Sequence, residues 1–214
     1  MDGSSSLAPR HLFREIESVW PHLIIFDFDG VLADSEALAC GIAAAYATDL
    51  GAPMSAHEGF IQFMGRRSDD VRASVEKRIG REVPEFIKTL QARTLAAFET
   101  SLEPVVGATD FLERTDRIAR CIASSSSHAR LTASLARIGL DWAFENTVFS
   151  ADDVERGKPF PDLFLHAAKT MGVAARNALV IEDSPGGVEA AVAAGMPVVG
   201  LLAGSHVLPV TDRD

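Results

Sequence analysis

With 214 residues, the chain has room for one domain, or a domain with a modest insertion, and can bury a sizeable core. Its 47% hydrophobic and 23% charged residues are ordinary for a globular protein, and a formal net charge of −10 argues against a nucleic-acid surface, which needs a basic face. No stretch approaches the roughly eighteen uninterrupted apolar residues of a membrane span, so neither a membrane nor a nucleic acid is expected as partner.

The first ten residues are polar and serine-rich, without the basic-then-apolar order of a secretory signal, and the cytoplasm is the expected location. Residues 11–20 read either as a short amphipathic helix or as a lead-in stopped by Pro21. The first strong element is Leu23–Phe28, an apolar run read as a buried strand of a parallel sheet. It runs into Asp27, Asp29 and Gly30. Ligands of open α/β sheets bind where strands end, and a carboxylate placed there is expensive unless a cation sits beside it. In extended chain the two acids share a side, and Gly30 lets the backbone turn away from them. The plainer alternative is a strand closed by an Asp-Gly turn.

From about Ser35 to Glu103 only helical patterns occur, punctuated by Gly51, Pro53, Gly65, Gly80 and Pro84. That is too long for a one-helix crossover and reads as a helical insertion over the carboxyl edge of the sheet. Cys40 within it, like Cys121 beyond it, looks like a small core residue, which suits a reducing compartment and implies no disulfide framework. Pro104 and Gly107 mark the return to the sheet.

Four further apolar runs follow, Ile118–Ala123, Thr147–Phe149, Ala178–Ile181 and Pro197–Leu202, separated by helical periods. The periods are Leu131, Leu135 and Ile138; Phe164, Ala167, Ala168 and Met171; and Val188, Ala191 and Val192. The alternation predicts an α/β fold, a doubly wound parallel sheet with an inserted helical domain. The expected division is a core of residues 19–34 and 105–214, a helical cap of 35–104, and an extension of 1–18.

Polar groups stand at the strand ends. Ser124 to Ser127 leave the second strand and precede a helix opening near His128. Serines there offer hydroxyls and helix N-terminal amides to an anion, or act as N-caps; capping is the expected role for Ser126 and Ser127, and a phosphate contact for Ser124. Gly157-Lys158-Pro159-Phe160-Pro161-Asp162 is a proline-framed loop able to aim one lysine inward, with a helix starting at Asp162. Glu182 and Asp183 close the strand before Ser184-Pro185-Gly186-Gly187. Up to four carboxylates then gather in one place. Like charges so close cannot all ionise unaided, and a hard divalent cation with oxygen ligands, Mg²⁺ above all, resolves the conflict. A carboxylate nucleophile, a second acid, a metal, a lysine and hydroxyl donors make up a set suited to phosphoryl transfer.

The segments DFDGVLADSE, the serine cluster, GKPFPDLF and IEDSPGGVEAAVAAGMP resemble, in order and spacing, the four motifs of the haloacid dehalogenase superfamily. The nearest likeness is to its β-phosphoglucomutase-like and phosphatase branch with a helical cap, over about residues 22–203. The resemblance implies a Rossmannoid core with the Asp27 strand in the middle, flanked by the second and fourth strands. It implies Asp27 as nucleophile, Asp29 as general acid/base, and Ser124 and Lys158 as ligands of the phosphoryl group. Gly30 and Ser125 would lie against the substrate. Asp27, Asp29 through its backbone carbonyl, Glu182 and Asp183 would hold Mg²⁺. The cap would hinge near Ala33–Ser35 and Glu103–Val105.

Asp29 argues against dehalogenase activity, since haloacid dehalogenases lack a second acid. Phosphonatases lack it too and use a cap lysine, where Lys77 and Lys88 are misplaced. Mutases of the branch carry a histidine where this chain has Ala39. The expectation is therefore a Mg²⁺-dependent phosphomonoesterase acting on a small phosphate ester, of the sugar or sugar-acid phosphate kind, as a monomer or weak dimer. The alternatives are a phosphomutase and a non-catalytic phospho-ligand binding protein. Arg66 and Arg67 in the cap are either leaving-group ligands or solvated arginines, and His128 and His206 are expected to be structural or exposed.

Overall fold

The computed structural model describes residues 21–64, 66 and 68–205. The expectations for residues 1–20, Arg67 and His206 lie outside these. Five parallel strands form one sheet: β1 (Leu23–Phe26), β2 (Ala119–Ser124), β3 (Val148–Ser150), β4 (Ala178–Glu182) and β5 (Val198–Gly200), in the order β3-β2-β1-β4-β5. The β1 strand is central, paired with β2 from Leu23↔Ala119 to Phe26↔Ile122 and with β4 from Leu23↔Ala178 to Phe26↔Ile181.

Every residue of β1 is buried, and the alternation of a strand splits them between two cores. Leu23 and Ile25 join Cys121 and Val180 against α7 (Asp162–Thr170) and α8 (Pro185–Ala193), through Leu163, Phe164, Ala190 and Ala191. Ile24 and Phe26 join Leu131, Leu135 and Ile138 of α6 (His128–Ile138), and Leu112 of α5 (Ala108–Arg114). Helices on both faces leave no polar side to the central strand, which is why it reads as an unbroken apolar run.

The α6 helix has a clear start and stop. The Ser127 side chain accepts from Arg130 N, and Gly139 closes the helix in the left-handed conformation, φ 68°. One period reads differently in the structure. On α8 the buried residues are Gly187, Ala190 and Ala191, followed by Ala194 just past its end, while Val192 is 64% exposed. Small residues there let the helix sit close on the sheet, and the bulkier valine points out.

Between β1 and β2 lie α1 (Glu36–Asp49), α2 (Ala56–Phe63), α3 (Ser68–Ile79) and α4 (Phe86–Ser101). They pack around their own apolar cluster, including Tyr46, Phe60, Phe63, Val71, Val75 and Phe86. A capping box of Ser55 and Glu58 opens α2. Gly59 brings α2 onto α1: a Cβ there would lie 2.5 Å from the Cβ of Ala44 and 3.0 Å from the carbonyl oxygen of Cys40. The two connections to the sheet run side by side. Asp34 N donates to Glu103 O at 2.9 Å, Val105 N donates to Leu32 O at 2.9 Å, and Ala33 bridges Pro104. Phe98 and Leu102, at the end of α4, belong to the sheet-side core rather than the insertion's own cluster.

Candidate active site

The β1 strand ends at Phe26, and Asp27 is the next residue, its N–H still donating to Ile181 O at 2.9 Å. The chain then turns through Gly30 at φ 77°, whose N–H closes the loop on Ala33 O at 2.8 Å. Asp27 is therefore held by the sheet ladder while its side chain stands at the carboxyl edge, buried.

Lys158 reaches this point from 131 positions away. Its Nζ donates to Asp27 Oδ1 at 2.5 Å and to Glu182 Oε1 at 2.7 Å, and lies 4.9 Å from the centre of the Phe164 ring. Only 7% of the lysine side chain is exposed. Burial opposes its charge, but Asp27 and then Glu182 outweigh that, and its pKa moves up. Glu182, at 1% exposure, is seated by its own loop: Ser184 N and Oγ donate to its Oε2 at 2.7 and 2.9 Å. Gly187 completes the seat, since a Cβ there would fall 1.7 Å from Glu182 Oε1.

Asp27, Glu182 and Asp183 each present a carboxylate oxygen within 4.8 Å of the others. Burial first, then the Glu182 and Asp29 charges, push Asp27 up to about 7 against the pull of Lys158. Burial, Asp27, Glu182 and Glu36 push Asp183 up to about 8. One lysine does not balance these acids. Three converging hard oxygen donors with excess negative charge fit a divalent metal cation.

Asp29 has a different neighbourhood. Its Oδ1 accepts from Ser35 Oγ at 2.6 Å and Arg130 Nη2 at 2.5 Å, and its Oδ2 from Ser126 Oγ at 2.8 Å. Ser126 is thus a partner of Asp29, not a helix cap; Ser127 alone caps α6. The turn after β2 aims the Ser126 hydroxyl back across the sheet edge to Asp29, which takes it off the helix N-terminus. Ser124 is buried, and its Oγ accepts from Ser126 N at 3.1 Å, an arrangement in which the hydroxyl can still donate. Ser125 is exposed beside them.

Arg130 and Glu36 carry no site expectation from the sequence, and Ser35 only that of a hinge. Arg130 sits in an unremarkable helical turn, and only the fold brings it to Asp29. Ser35 and Glu36 follow the turn at Gly30, and Glu36 is shifted upward by burial and by Asp29. A serine and a glutamate closing the Asp27 loop were the available signal. Arg66 is exposed and lines an open cleft of about 370 Å³ with Asp70, Ala73, Ser74 and Lys77, none of them a strand-end residue. His128 is exposed, its Nε2 2.9 Å from Asp153 Oδ1.

A parallel sheet in the order β3-β2-β1-β4-β5, with an acid-rich carboxyl edge, a buried lysine and a helical insertion after the first strand, defines a doubly wound α/β protein whose ligand site lies at the strand ends. Residues 24–201 match the model of the haloacid dehalogenase-like hydrolase family, and the chain belongs to that family. It is 28% identical to a 6-phosphogluconate phosphatase of Escherichia coli strain K12, over 87% of this chain and 85% of that protein. A crystal structure of a haloacid dehalogenase-like protein of unknown function from Agrobacterium tumefaciens str. C58 superimposes with a TM-score of 0.78 at 34% identity, covering 88% of this chain and 86% of the other. That of a hydrolase from Deinococcus radiodurans R1, determined with bound phosphate and sodium, gives 0.73 at 30% identity, covering 88% and 82%.

Proposed function

We propose that this chain is a Mg²⁺-dependent phosphomonoesterase that hydrolyses a small phosphorylated metabolite, of the sugar or sugar-acid phosphate class, through an aspartyl-phosphate on Asp27. The observation that carries this reading is the convergence of Asp27, Lys158 and Glu182, with Asp183 in metal-ligand reach. The E. coli relative, named for a sugar-acid phosphate, supports the substrate class.

In the first step an Asp27 oxygen attacks phosphorus and the ester P–O bond breaks, while Asp29 gives its proton to the leaving alkoxide. Lys158, the Ser124 hydroxyl and the Ser125 backbone hold the non-bridging oxygens, with Gly30 letting the chain approach them closely. In the second step Asp29 takes a proton from water, which attacks phosphorus, releases inorganic phosphate and returns Asp27 to a carboxylate. Asp27, Glu182, Asp183 and the Asp29 carbonyl would hold Mg²⁺, which when bound neutralises charge on the phosphoryl oxygens. Helices α1 to α4, residues 35–104, act as the cap that selects the ester and excludes water, with Arg66 and Arg67 as its cationic contributors. Two buried free thiols suit a cytoplasmic enzyme, and we take it to act as a monomer or weak dimer.

Release of inorganic phosphate from p-nitrophenyl phosphate, with magnesium and after chelation, tests the reading. Turnover should require the metal, and Asp27→Asn should remove at least about four powers of ten, as loss of a covalent nucleophile does. A phosphosugar returned as its isomer would instead make the protein a mutase. Binding of phosphate esters without turnover would make it a non-catalytic binder.

A further inference from the structure

Arg130 does more at Asp29 than pair with it. Its Nη2 donates to Asp29 Oδ1 at 2.5 Å, and its Nη1 to Ser126 Oγ at 2.6 Å. Ser126 in turn donates to Asp29 Oδ2 at 2.8 Å, so three side chains close a ring. The hydroxyl has one proton to give, and with Arg130 as donor that proton goes to Asp29. The guanidinium also lies 4.9 Å from the centre of the Phe98 ring, near the end of α4. Further along α6, Arg137 Nη2 donates to Thr100 O at 2.7 Å. The core helix α6 therefore grips the end of the helical insertion twice, and one of the two grips also holds Asp29. A planar fork is needed to reach two oxygens on different residues while lying on a ring, which an ammonium cannot reproduce.

We propose that Arg130 is a positioning residue for Asp29: it fixes the rotamer from which that carboxyl exchanges protons and ties the rotamer to the end of α4. The inference rests on the phosphomonoesterase reading, because the proton role of Asp29 does. It makes a selective prediction. An alkoxide leaving group needs the proton from Asp29, whereas p-nitrophenolate leaves without one. The ratio kcat/KM reports the steps through ester cleavage, so it separates the two.

Arg130→Ala should lower kcat/KM for 6-phosphogluconate roughly tenfold to hundredfold, and for p-nitrophenyl phosphate by less than about threefold, a fraction of what a positioned acid supplies. Arg130→Lys should fall between, and it carries the same comparison if the alanine variant fails to fold. Added to Asp29→Asn, Arg130→Ala should cost nothing further, because the two act as a unit. Equal losses on both esters, or losses that multiply with Asp29→Asn, would overturn the inference. A crystal structure of Arg130→Ala or Arg130→Lys decides the matter independently of turnover. Asp29 in a new rotamer supports the role, and an unchanged rotamer refutes it. If the wild-type enzyme hydrolyses neither ester, the functional reading fails, and the crystal structure alone judges Arg130.

Discussion

The carboxyl edge of the sheet and the helical insertion above it are built to different standards. At the edge, Lys158 and Glu182 are almost wholly buried, and every polar contact among Asp27, Lys158, Glu182 and Ser184 is short. In the insertion, Ile61 is 62% exposed, and Met64 and Arg66 are exposed with it. Such an edge can orient a reacting group tightly, whereas the insertion presents adaptable surface. On the proposed function, chemistry belongs to the first and choice of substrate to the second. Substitutions in the two regions should therefore fail in different ways.

After loss of the Asp27 nucleophile itself, the largest effect should come from Lys158→Ala. Removing the cation strands Asp27 and Glu182 as buried acids, a change that costs about 3–5 kcal/mol when one partner of a buried pair is lost. On the proposed function it also removes a ligand of the phosphoryl group, worth about two to three powers of ten in kcat. Denaturant unfolding and steady-state kinetics measure the two losses, and a near-neutral result would show that the edge is less tightly built than its contacts indicate.

Gly187→Ala should come next. The added Cβ occupies the place of the Glu182 carboxylate, and relieving that overlap moves the acid off Lys158 and Ser184. About 1–3 kcal/mol of stability should be lost, as in other overpacked sites, together with magnesium affinity read by calorimetry.

A smaller effect concerns pH. In the folded chain Asp183 holds its proton up to about 8, above its ordinary 3.8, so between those values the folded state binds more protons than the unfolded one. Its contribution to stability is present at low pH and lost as pH rises through about 8. In chelator, Asp183→Asn should therefore gain thermal stability relative to wild type as pH rises, and magnesium should stabilise wild type more than the variant. A difference that does not change with pH would contradict this.

The smallest effect at the chemical step should come from Gly59→Ala, which forces α1 and α2 apart at Ala44 and Cys40. It should cost about 1–3 kcal/mol of stability. It should change KM for a sugar phosphate while sparing kcat for p-nitrophenyl phosphate. Equal damage to both would erase the division between edge and insertion.

The same contrast explains what was legible in the sequence. Leu23–Phe28 reads as a buried strand because both faces of β1, Leu23–Phe26, are covered by helices and apolar residues recur without a break, while its central place is what the family resemblance implies. Lys158 and Glu182 could be brought together on paper because the strand ends of a parallel sheet share one edge. Arg130 could not, since a helical arginine next to a serine cap has the pattern of a solvated residue until α6 is laid beside Asp29. Ser126 has the sequence pattern of a cap for the related reason that serines before a helix compete for that position, and here Ser127 takes it. Val192 has a spacing that fits a helix face, yet only the small residues Gly187, Ala190 and Ala191 line the tight seat of α8 on the sheet.

The most direct test is to quench the enzyme with acid during turnover of a phosphate ester in magnesium and to map the phosphoryl group by mass spectrometry. The phosphoryl group should appear on the peptide carrying Asp27, should vanish in Asp27→Asn, and should not form after chelation. A phosphoryl group on any other residue, or turnover without one in the wild type, would contradict the account.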